Sequence, residues 1–430
     1  MKIRPFLALL LPLLLLCLPR TSGAGEPLTW QQVRAKFIAV NPVLLASRLG
    51  IEESRAQEIT ANLRPNPTFT AAMDYIHPFR SYGSLVDAQP TVSLSYLFER
   101  MNKRGLRYET ARRETAVAVS QLADQERTLL FALRGAFVQV LQQKAILALA
   151  RQNLAYYDRV LDVSKERFRS GDIARVDLDR LQLQRVTYES DLQTATVSLR
   201  TAKIQLLTLL NERTPIDQFD VTGSFDFSEG LAPLSEFRTL ALDTRPDLKA
   251  AVQSIDQAKS AHQLARANAS TDPTVSIDIG RFPWSFTTPP GTGPDTPSAV
   301  SFAGFSVSIP LRIFDRNQGE ILRTKFDITR NERLRDAAEA ALYSDVDSAY
   351  ATIISTVALL KPYKTQYLKQ ATTVRDTVTF SYQRGGASLL DFLDATRDYR
   401  AVQVAYLNLV GSYLSAAAQM NLAVGREVME

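Results

Sequence analysis

The sequence predicts a mainly helical chain with a minority of membrane-type strands: two copies of a long helical hairpin, each preceded by two strands of bilayer-crossing length. Three observations predict it. The chain is internally duplicated, its helical arms keep a seven-residue apolar repeat, and four alternating runs follow a leader that directs export. With 430 residues, 45% hydrophobic and 22% charged, the chain can bury a large core. The formal charge of +5 includes Lys2, Arg4 and Arg20 of the leader, and their removal leaves +2, too little to indicate a nucleic-acid partner. The single cysteine, Cys17, also lies in the leader, and only two histidines occur. A disulfide framework, a cysteine-based zinc site and a cysteine nucleophile are thereby excluded from the mature chain.

Residues 1–24 read as a signal peptide. Lys2 and Arg4 form its basic start, Phe6 to Leu18 its apolar run, and Ser22-Gly23-Ala24 its small-residue cleavage site. That run is too short for the roughly 20 residues of a spanning helix. Leu16 before Cys17 is bulky where lipoprotein processing requires a small residue, so no lipid anchor is expected. Beyond Gly25 no stretch reaches 18 uninterrupted apolar residues, so any membrane span must be built of strands.

The duplication divides the mature chain into a first repeat, 25–227, and a second, 228–430. Asn41-Pro42-Val43-Leu44 is echoed by Arg245-Pro246-Asp247-Leu248, Pro67-Thr68-Phe69 by Pro273-Thr274-Val275, and Phe168-Arg169-Ser170-Gly171 by Tyr382-Gln383-Arg384-Gly385. Each repeat opens with a helix. The first continues with strands at 68–76 and 91–98, long helices at 100–170 and 172–212, and a connecting equatorial segment at 213–227. The second continues with strands at 274–282 and 302–311 and long helices at 316–384 and 387–425.

The helical arms follow from what is missing as much as from what is present. No proline occurs between Pro90 and Pro215. Leu133, Val140, Leu147, Leu154, Leu161 and Phe168 recur every seven residues, and Leu181, Tyr188, Ala195, Ala202 and Leu209 do so on the return. The second repeat shows Val346, Ile353, Leu360, Tyr367 and Val374, then Phe392, Tyr399, Tyr406, Tyr413 and Met420. A heptad held this long means coiled-coil packing, and the first arm would run for roughly 100 Å at 1.5 Å per residue. Pro362 should break or kink the second arm. Gly171 followed by Asp172, and Gly385 followed by Gly386 and Ser388, predict a left-handed stop and then a capping residue that restarts a helix.

In the strands, Phe69, Ala71 and Met73 alternate with Thr70, Ala72 and Asp74, and Val92, Leu94 and Tyr96 with Thr91, Ser93 and Ser95. Val275, Ile277 and Ile279, then Phe305, Val307, Ile309 and Leu311, repeat the pattern. Their turns are expected at 77–89 and in the proline-rich stretch 282–301. Four strands leave two unpaired edges, which hydrocarbon does not tolerate. Bacterial barrels begin at about eight strands, so at least two chains must share one barrel.

This duplicated helix-strand-strand-helix order with two glycine-tipped turns resembles the TolC-like outer-membrane efflux channels from Leu28 to about Gly425. Its most specific pieces are Phe168-x-x-Gly171 with Asp177, and Tyr382-x-x-Gly385 with Leu390-Asp391-Phe392-Leu393-Asp394-Ala395. Leu63-Arg64-Pro65-Asn66-Pro67 and Asn102-Lys103-Arg104-Gly105 resemble the subgroup serving cobalt-zinc-cadmium and related heavy-metal pumps. The resemblance implies a homotrimer in the bacterial outer membrane that extends into the periplasm. Its twelve-stranded barrel would sit over an α-barrel, and a periplasmic adaptor (membrane fusion) protein and an inner-membrane pump would supply energy and the cargo, heavy-metal cations or drugs. It implies no cofactor and no bound metal.

Carried over residue by residue, the resemblance places Asp177, Asp391 and Asp394 near a tip constriction and makes Tyr382 a gate aromatic. Gly171, Gly385 and Arg384 fall where an adaptor would dock. Many members tether the gate through a basic residue where this chain has Ala387, and Arg384 or Arg175 are the substitutes. Two readings of the carboxylates stand side by side: a ring of like charge that attracts cations, and first-turn residues that complement a helix dipole. The tip glycines likewise serve docking, chain reversal, or both.

His77 and His262 have no second ligand at metal spacing. The run Arg100, Lys103, Arg104, Arg107 suits either lipid phosphate or a solvated helix face. No nucleophile elbow, phosphate loop or HExxH helix occurs, so no enzyme is expected. The competing functional classes are an outer-membrane component of type I protein secretion and a periplasmic coiled-coil adaptor or scaffold. An adaptor needs one hairpin and no membrane-length strands.

Overall fold

The computed structural model describes residues 26–74, 88–284 and 298–429. The leader with Cys17, His77, and most of the predicted turns at 77–89 and 282–301 lie outside them. Among the described residues no helix is long and apolar enough to cross a membrane.

The element order in residues 30–209 recurs in 234–424. Each half starts with two helices where the sequence suggested one: α1 (Trp30–Val40) and α2 (Pro42–Ala61), then α5 (Leu234–Thr244) and α6 (Pro246–Asn268). The breaks fall at Asn41-Pro42 and Arg245-Pro246, because a proline fits the first turn of a helix, where its missing amide donor is not needed. At the first break the Asn41 carboxamide oxygen accepts from the Val43 and Leu44 amides at 3.0 and 3.1 Å. Strands β1 (Thr68–Asp74) and β2 (Gln89–Leu97) lead to α3 (Lys103–Arg169), an unbroken 67-residue helix, and to α4 (Arg175–Leu209). In the second half β3 (Thr274–Trp284) and β4 (Ser298–Ser308) lead to α7 (Gln318–Pro362), a wide helical turn at Tyr363–Tyr367, α8 (Leu368–Gln383) and α9 (Leu389–Val424). Asn102 and Asn317, both left-handed at φ of 54° and 62°, begin the long helices of the two halves.

The chain sorts into two compact units. Of the described residues, a hairpin unit takes those up to Val40, Ala136–Asp226 and Lys364–Gly411, and a sheet unit takes those within Asn41–Gly135 and Phe227–Tyr363 and those from Ser412 onward. Each draws on both halves of the sequence, because the long helices contribute residues to both.

In the sheet unit the strands form one antiparallel sheet in the order β1-β2-β3-β4, so the outer edges of β1 and β4 have no partner strand among the described residues. The register builds rows four residues wide. Phe69, Leu94, Ile277 and Phe305 form one, and Ala71, Val92, Ile279 and Ala303 the next. The alternate rows are Thr68, Ser95, Ser276 and Ser306, then Thr70, Ser93, Asp278 and Gly304. One face is therefore apolar and the other polar, as the pleat requires. The apolar face is uncovered: Phe69, Ile279 and Phe305 are 68%, 62% and 71% exposed. Gly280 sits opposite Phe302, whose ring occupies the space a β-carbon would need, 2.5 Å away.

β3 and β4 reach further toward their shared turn than the sequence suggested, pairing as far as Trp284 with Ser298, and β4 ends at Ser308 rather than 311. Cross-strand pairing outweighs the local turn signal there, and Pro310 closes the strand at its other end. Ile309 and Leu311 follow as irregular chain.

The basic run at the start of α3 is not simply a solvated face. Lys103 is only 4% exposed and donates to Asp272 at 2.6 Å and to the Ser270 carbonyl oxygen at 2.8 Å. Arg107 pairs with Glu99, and the Arg100 amide donates to Asp272 at 2.9 Å.

The heptad seams are buried as expected at Leu133, Val140, Leu147 and Leu161, with Leu154 half-buried between them, and from Leu181 to Ala202. In the second arm Val346, Ile353 and Leu360 are buried, but Tyr367 and Val374 are exposed. The cause is the wide turn that follows Pro362. It takes one residue more than an α-turn, so the seam resumes one place later at Leu368, Arg375 and Tyr382, which are half-buried, half-buried and buried.

Candidate functional site at the hairpin tips

Both tips are built by the same local chemistry. Gly171 and Gly385 have φ of +84° and +79°, which a residue with a β-carbon adopts only with strain. The Gly171 and Gly385 amides donate to the Phe168 and Tyr382 carbonyl oxygens, both at 3.1 Å, and the Asp172 and Gly386 amides reach back to Arg167 and Ser381, both at 2.8 Å. This paired pattern closes the last turn of each descending helix.

The restarts differ. Ser388 caps α9 reciprocally with Asp391: the Asp391 amide donates to the Ser388 hydroxyl at 3.1 Å, while the Ser388 amide and hydroxyl donate to the Asp391 carboxylate at 3.1 and 2.7 Å. Asp172, expected to cap α4, does not. It accepts from the Ser170 hydroxyl at 3.0 Å, and α4 starts three residues later behind Ala174, with no side-chain cap. The place that Ser388 holds three residues after Gly385 is taken, three residues after Gly171, by Ala174, which has no side-chain acceptor to offer.

Above the tips the two hairpins share one apolar core of Tyr157, Val160, Leu161, Leu178, Leu181, Tyr188, Tyr382, Leu389 and Phe392. Four rings stack through it: Tyr188 on Tyr157 at 4.5 Å, Tyr157 on Phe392 at 6.3 Å, and Phe392 on Tyr382 at 5.0 Å between centroids. The Tyr157 hydroxyl donates to the Leu181 carbonyl oxygen at 3.0 Å. Burial pushes the phenols of Tyr157, Tyr188 and Tyr382 above their ordinary value. Tyr382, read from sequence as a gate aromatic, is thus a buried residue whose ring stacks on Phe392.

The predicted carboxylates occupy equivalent places, with Asp177 and Asp391 both third residues of their helices. Asp391 is exposed, and the Ser388 donors hold its carboxyl below the usual carboxylate range. Asp394 is half-buried and pairs with Arg397 at 3.2 Å. Asp177 is half-buried and has no ion-pair partner among the described residues. No hydrogen bond or ion pair joins the three to one another. The capping and dipole reading is therefore realised at Asp391, beside whatever charge it presents to solvent.

Arg384 and Arg175, the expected substitutes for a basic tether, each stay within their own hairpin. Arg384 is exposed and lies over Phe380 at 4.6 Å, and Arg175 pairs with Asp179 at 3.0 Å and lies over Phe168 at 5.8 Å. The cross-hairpin contact is made by Arg167, which sequence reading missed. Its guanidinium donates to the Tyr382 carbonyl oxygen at 2.8 Å and lies 5.4 Å from that ring. A basic residue in the last turn of a helix looks like a dipole partner, so the sequence carries no sign of this role. Tyr157 was detectable, because it stands three residues after Leu154 in the heptad. The hairpins are also joined by Tyr156 and Thr379 through their hydroxyls at 2.8 Å, and by Arg400 and Asp191 at 2.8 Å.

Among the described residues no cluster of three or more histidine, cysteine, aspartate or glutamate side chains could hold a metal. The nitrogen Nδ1 of His262 hydrogen-bonds the Thr324 hydroxyl at 2.9 Å.

A family model described as outer membrane efflux protein matches residues 33–212 and 238–426. The chain is 25% identical over 407 residues to the cobalt-zinc-cadmium resistance protein CzcC of Cupriavidus metallidurans, covering 94% of this chain and 91% of that protein. Among solved structures, CusC superposes with a TM-score of 0.75 at 16% identity, over 92% of each chain. The open state of the Neisseria gonorrhoeae MtrE outer membrane channel gives 0.73 at 19% identity, over 93% of this chain and 89% of that one.

Proposed function

We propose, from the premise that this chain belongs to the outer membrane efflux protein family, that it works as a homotrimer in the bacterial outer membrane and is the passive exit duct of a tripartite efflux system. The observation that carries this reading is the two-faced sheet with free edges. An exposed apolar face four strands wide is a liability in water and an asset in lipid, and the polar rows behind it suit a water-filled lumen. Three copies joined edge to edge supply twelve strands and leave no backbone edge in hydrocarbon.

Energy and cargo come from an inner-membrane pump through a periplasmic adaptor that docks at the exposed tips around Gly171, Gly385 and Arg384. Divalent heavy-metal cations are the cargo class, a reading supported by the likeness to a cobalt-zinc-cadmium resistance protein along nearly the whole chain. Asp177, Asp391 and Asp394, brought round an axis in three copies, favour cations over anions in a narrow mouth. The Arg167 to Tyr382 link holds the two hairpins of one protomer together at that mouth.

Three measurements test the reading: outer-membrane fractionation, oligomer mass in detergent, and single-channel conductance in planar lipid. A trimeric, conducting outer-membrane protein whose deletion sensitises cells to cobalt, zinc or cadmium is the expected result. A water-soluble monomer would refute the channel, and unchanged metal tolerance would refute the cargo class alone.

A further inference from the structure

At one end of the sheet the register brings together the first residues of β1 and β3 and the last residues of β2 and β4. The chain segments that lead away from this end carry a collar in which apolar and basic side chains interleave. Leu311 and Phe314 are 79% and 89% exposed, with Arg312 between them, and Phe98 and Met101 flank Arg100 in the same way. In sequence, Phe98, Ile309 and Leu311 keep the apolar alternation of the strands they follow. Phe98 follows Tyr96 in the strand alternation, their rings meeting edge to face at 4.9 Å, and Ile309 and Leu311 follow Val307.

The charge here is unbalanced. Lys103 and Arg107 are paired with Asp272 and Glu99, as described above, and the charge of Asp315 is matched by the neighbouring Arg316. Arg100, Arg104 and Arg312 have no ion-pair partner among the described residues, and the Nε of Arg312 is shielded from solvent without a hydrogen-bond partner. The first turn of α3 adds no acidic residue.

We propose that this collar is a binding site for the phosphodiester headgroups of anionic glycerophospholipids, held by Arg100, Arg104 and Arg312. The inference rests on the sheet being lipid-embedded. The order of chemistry along the protein, an apolar face and then guanidinium groups among aromatic and aliphatic side chains, is the order of a lipid leaflet from acyl chain to phosphate. Guanidinium groups suit phosphate because their fixed fork of donors meets two oxygens at once. The exposed apolar neighbours select a headgroup that arrives with acyl chains over a free anion.

The test compares phosphatidylglycerol, phosphatidylcholine and inorganic phosphate as ligands of the detergent-purified trimer, with bound lipid counted by native mass spectrometry. Phosphatidylglycerol is expected to bind about tenfold more tightly than phosphatidylcholine, and inorganic phosphate is expected not to displace it. The triple variant Arg100→Gln, Arg104→Gln, Arg312→Gln should bind the two lipids alike, while the corresponding Arg→Lys triple keeps a preference. Equal binding by the wild type, a preference that survives in the Gln triple, or full displacement by inorganic phosphate would each overturn the site. Planar-lipid conductance of the same wild-type preparation reports separately on the channel, so a failed lipid site and a failed channel reading give different results.

Discussion

Replacing Ile279 by arginine tests the orientation of the sheet, because Ile279 and Ser93 stand on opposite faces of neighbouring strands. Ile279 is five residues beyond Thr274, where the 11-residue strand β3 begins. At about 3.3 Å per residue it lies roughly 16 Å along the strand. With a tilt near 40° that is about 12 Å of depth, the middle of an apolar band about 25 Å tall. Arginine on the lipid face at mid-depth costs about 2–4 kcal/mol per chain, roughly 30- to 700-fold in the folding equilibrium, and a trimer bears the cost three times. Ser93→Arg points its charge into the polar face beside Asp278, its register partner on β3, and should cost under about 1 kcal/mol. Urea titration of protein refolded into phosphatidylcholine vesicles measures both. Equal costs for the two variants, or a larger cost for Ser93→Arg, would show that the apolar rows do not face lipid.

Phe392→Ala removes the ring between Tyr157 and Tyr382, which is completely buried, and should destabilise the hairpin unit by about 3–5 kcal/mol, read by thermal unfolding. Arg167→Gln loses a charged donor to the Tyr382 carbonyl and should cost about 1.5–3 kcal/mol while raising the open fraction of single channels; an unchanged open fraction would remove the tether role. The double substitution Asp391→Asn with Asp394→Asn should shift reversal potentials toward lower cation preference, and unshifted potentials would leave the carboxylates as capping and dipole groups only. Burial works against the charge of Asp220, but Lys144 at 2.7 Å and Lys203 at 3.2 Å outweigh it and hold the carboxyl below its ordinary value. A lowered folded value means that this pairing stabilises fully above the unfolded value near 4 and is lost as pH falls through the folded one. Asp220→Asn should therefore lower the melting temperature at pH 7 and narrow the gap between pH 7 and pH 3; a variant as stable as wild type at pH 7 would contradict the pairing.

The periodic features were legible because they are local. Alternation placed Ile277 and Phe305 on one face, and the seven-residue repeat placed Leu133, Val140 and Leu181 on buried seams, since pleat and helix pitch are properties of any L-peptide backbone. Gly171 and Gly385 were legible as turns because few residues accept a positive φ. What failed to show was how individual turns are built and which partners folding supplies. The heptad at Tyr367 and Val374 continued on paper, yet one wide turn after Pro362 rotated the seam to Arg375 and Tyr382. Asp172 looked like a helix cap, but the helix restarts behind Ala174, two residues further on. Arg167 carried no signal at all, because its acceptor is a backbone carbonyl 215 residues away. Lys103 and Arg107 looked like part of a solvated run until Asp272 and Glu99 neutralised them, and the basic patch that remains is a remainder, defined only after folding has decided which charges meet. Sequence alone determined the periods, the tip turns and the duplication; tertiary structure decided register across the sheet, the pairing of charges and the contacts between hairpins, because those energies belong to pairs of residues that only folding brings within reach.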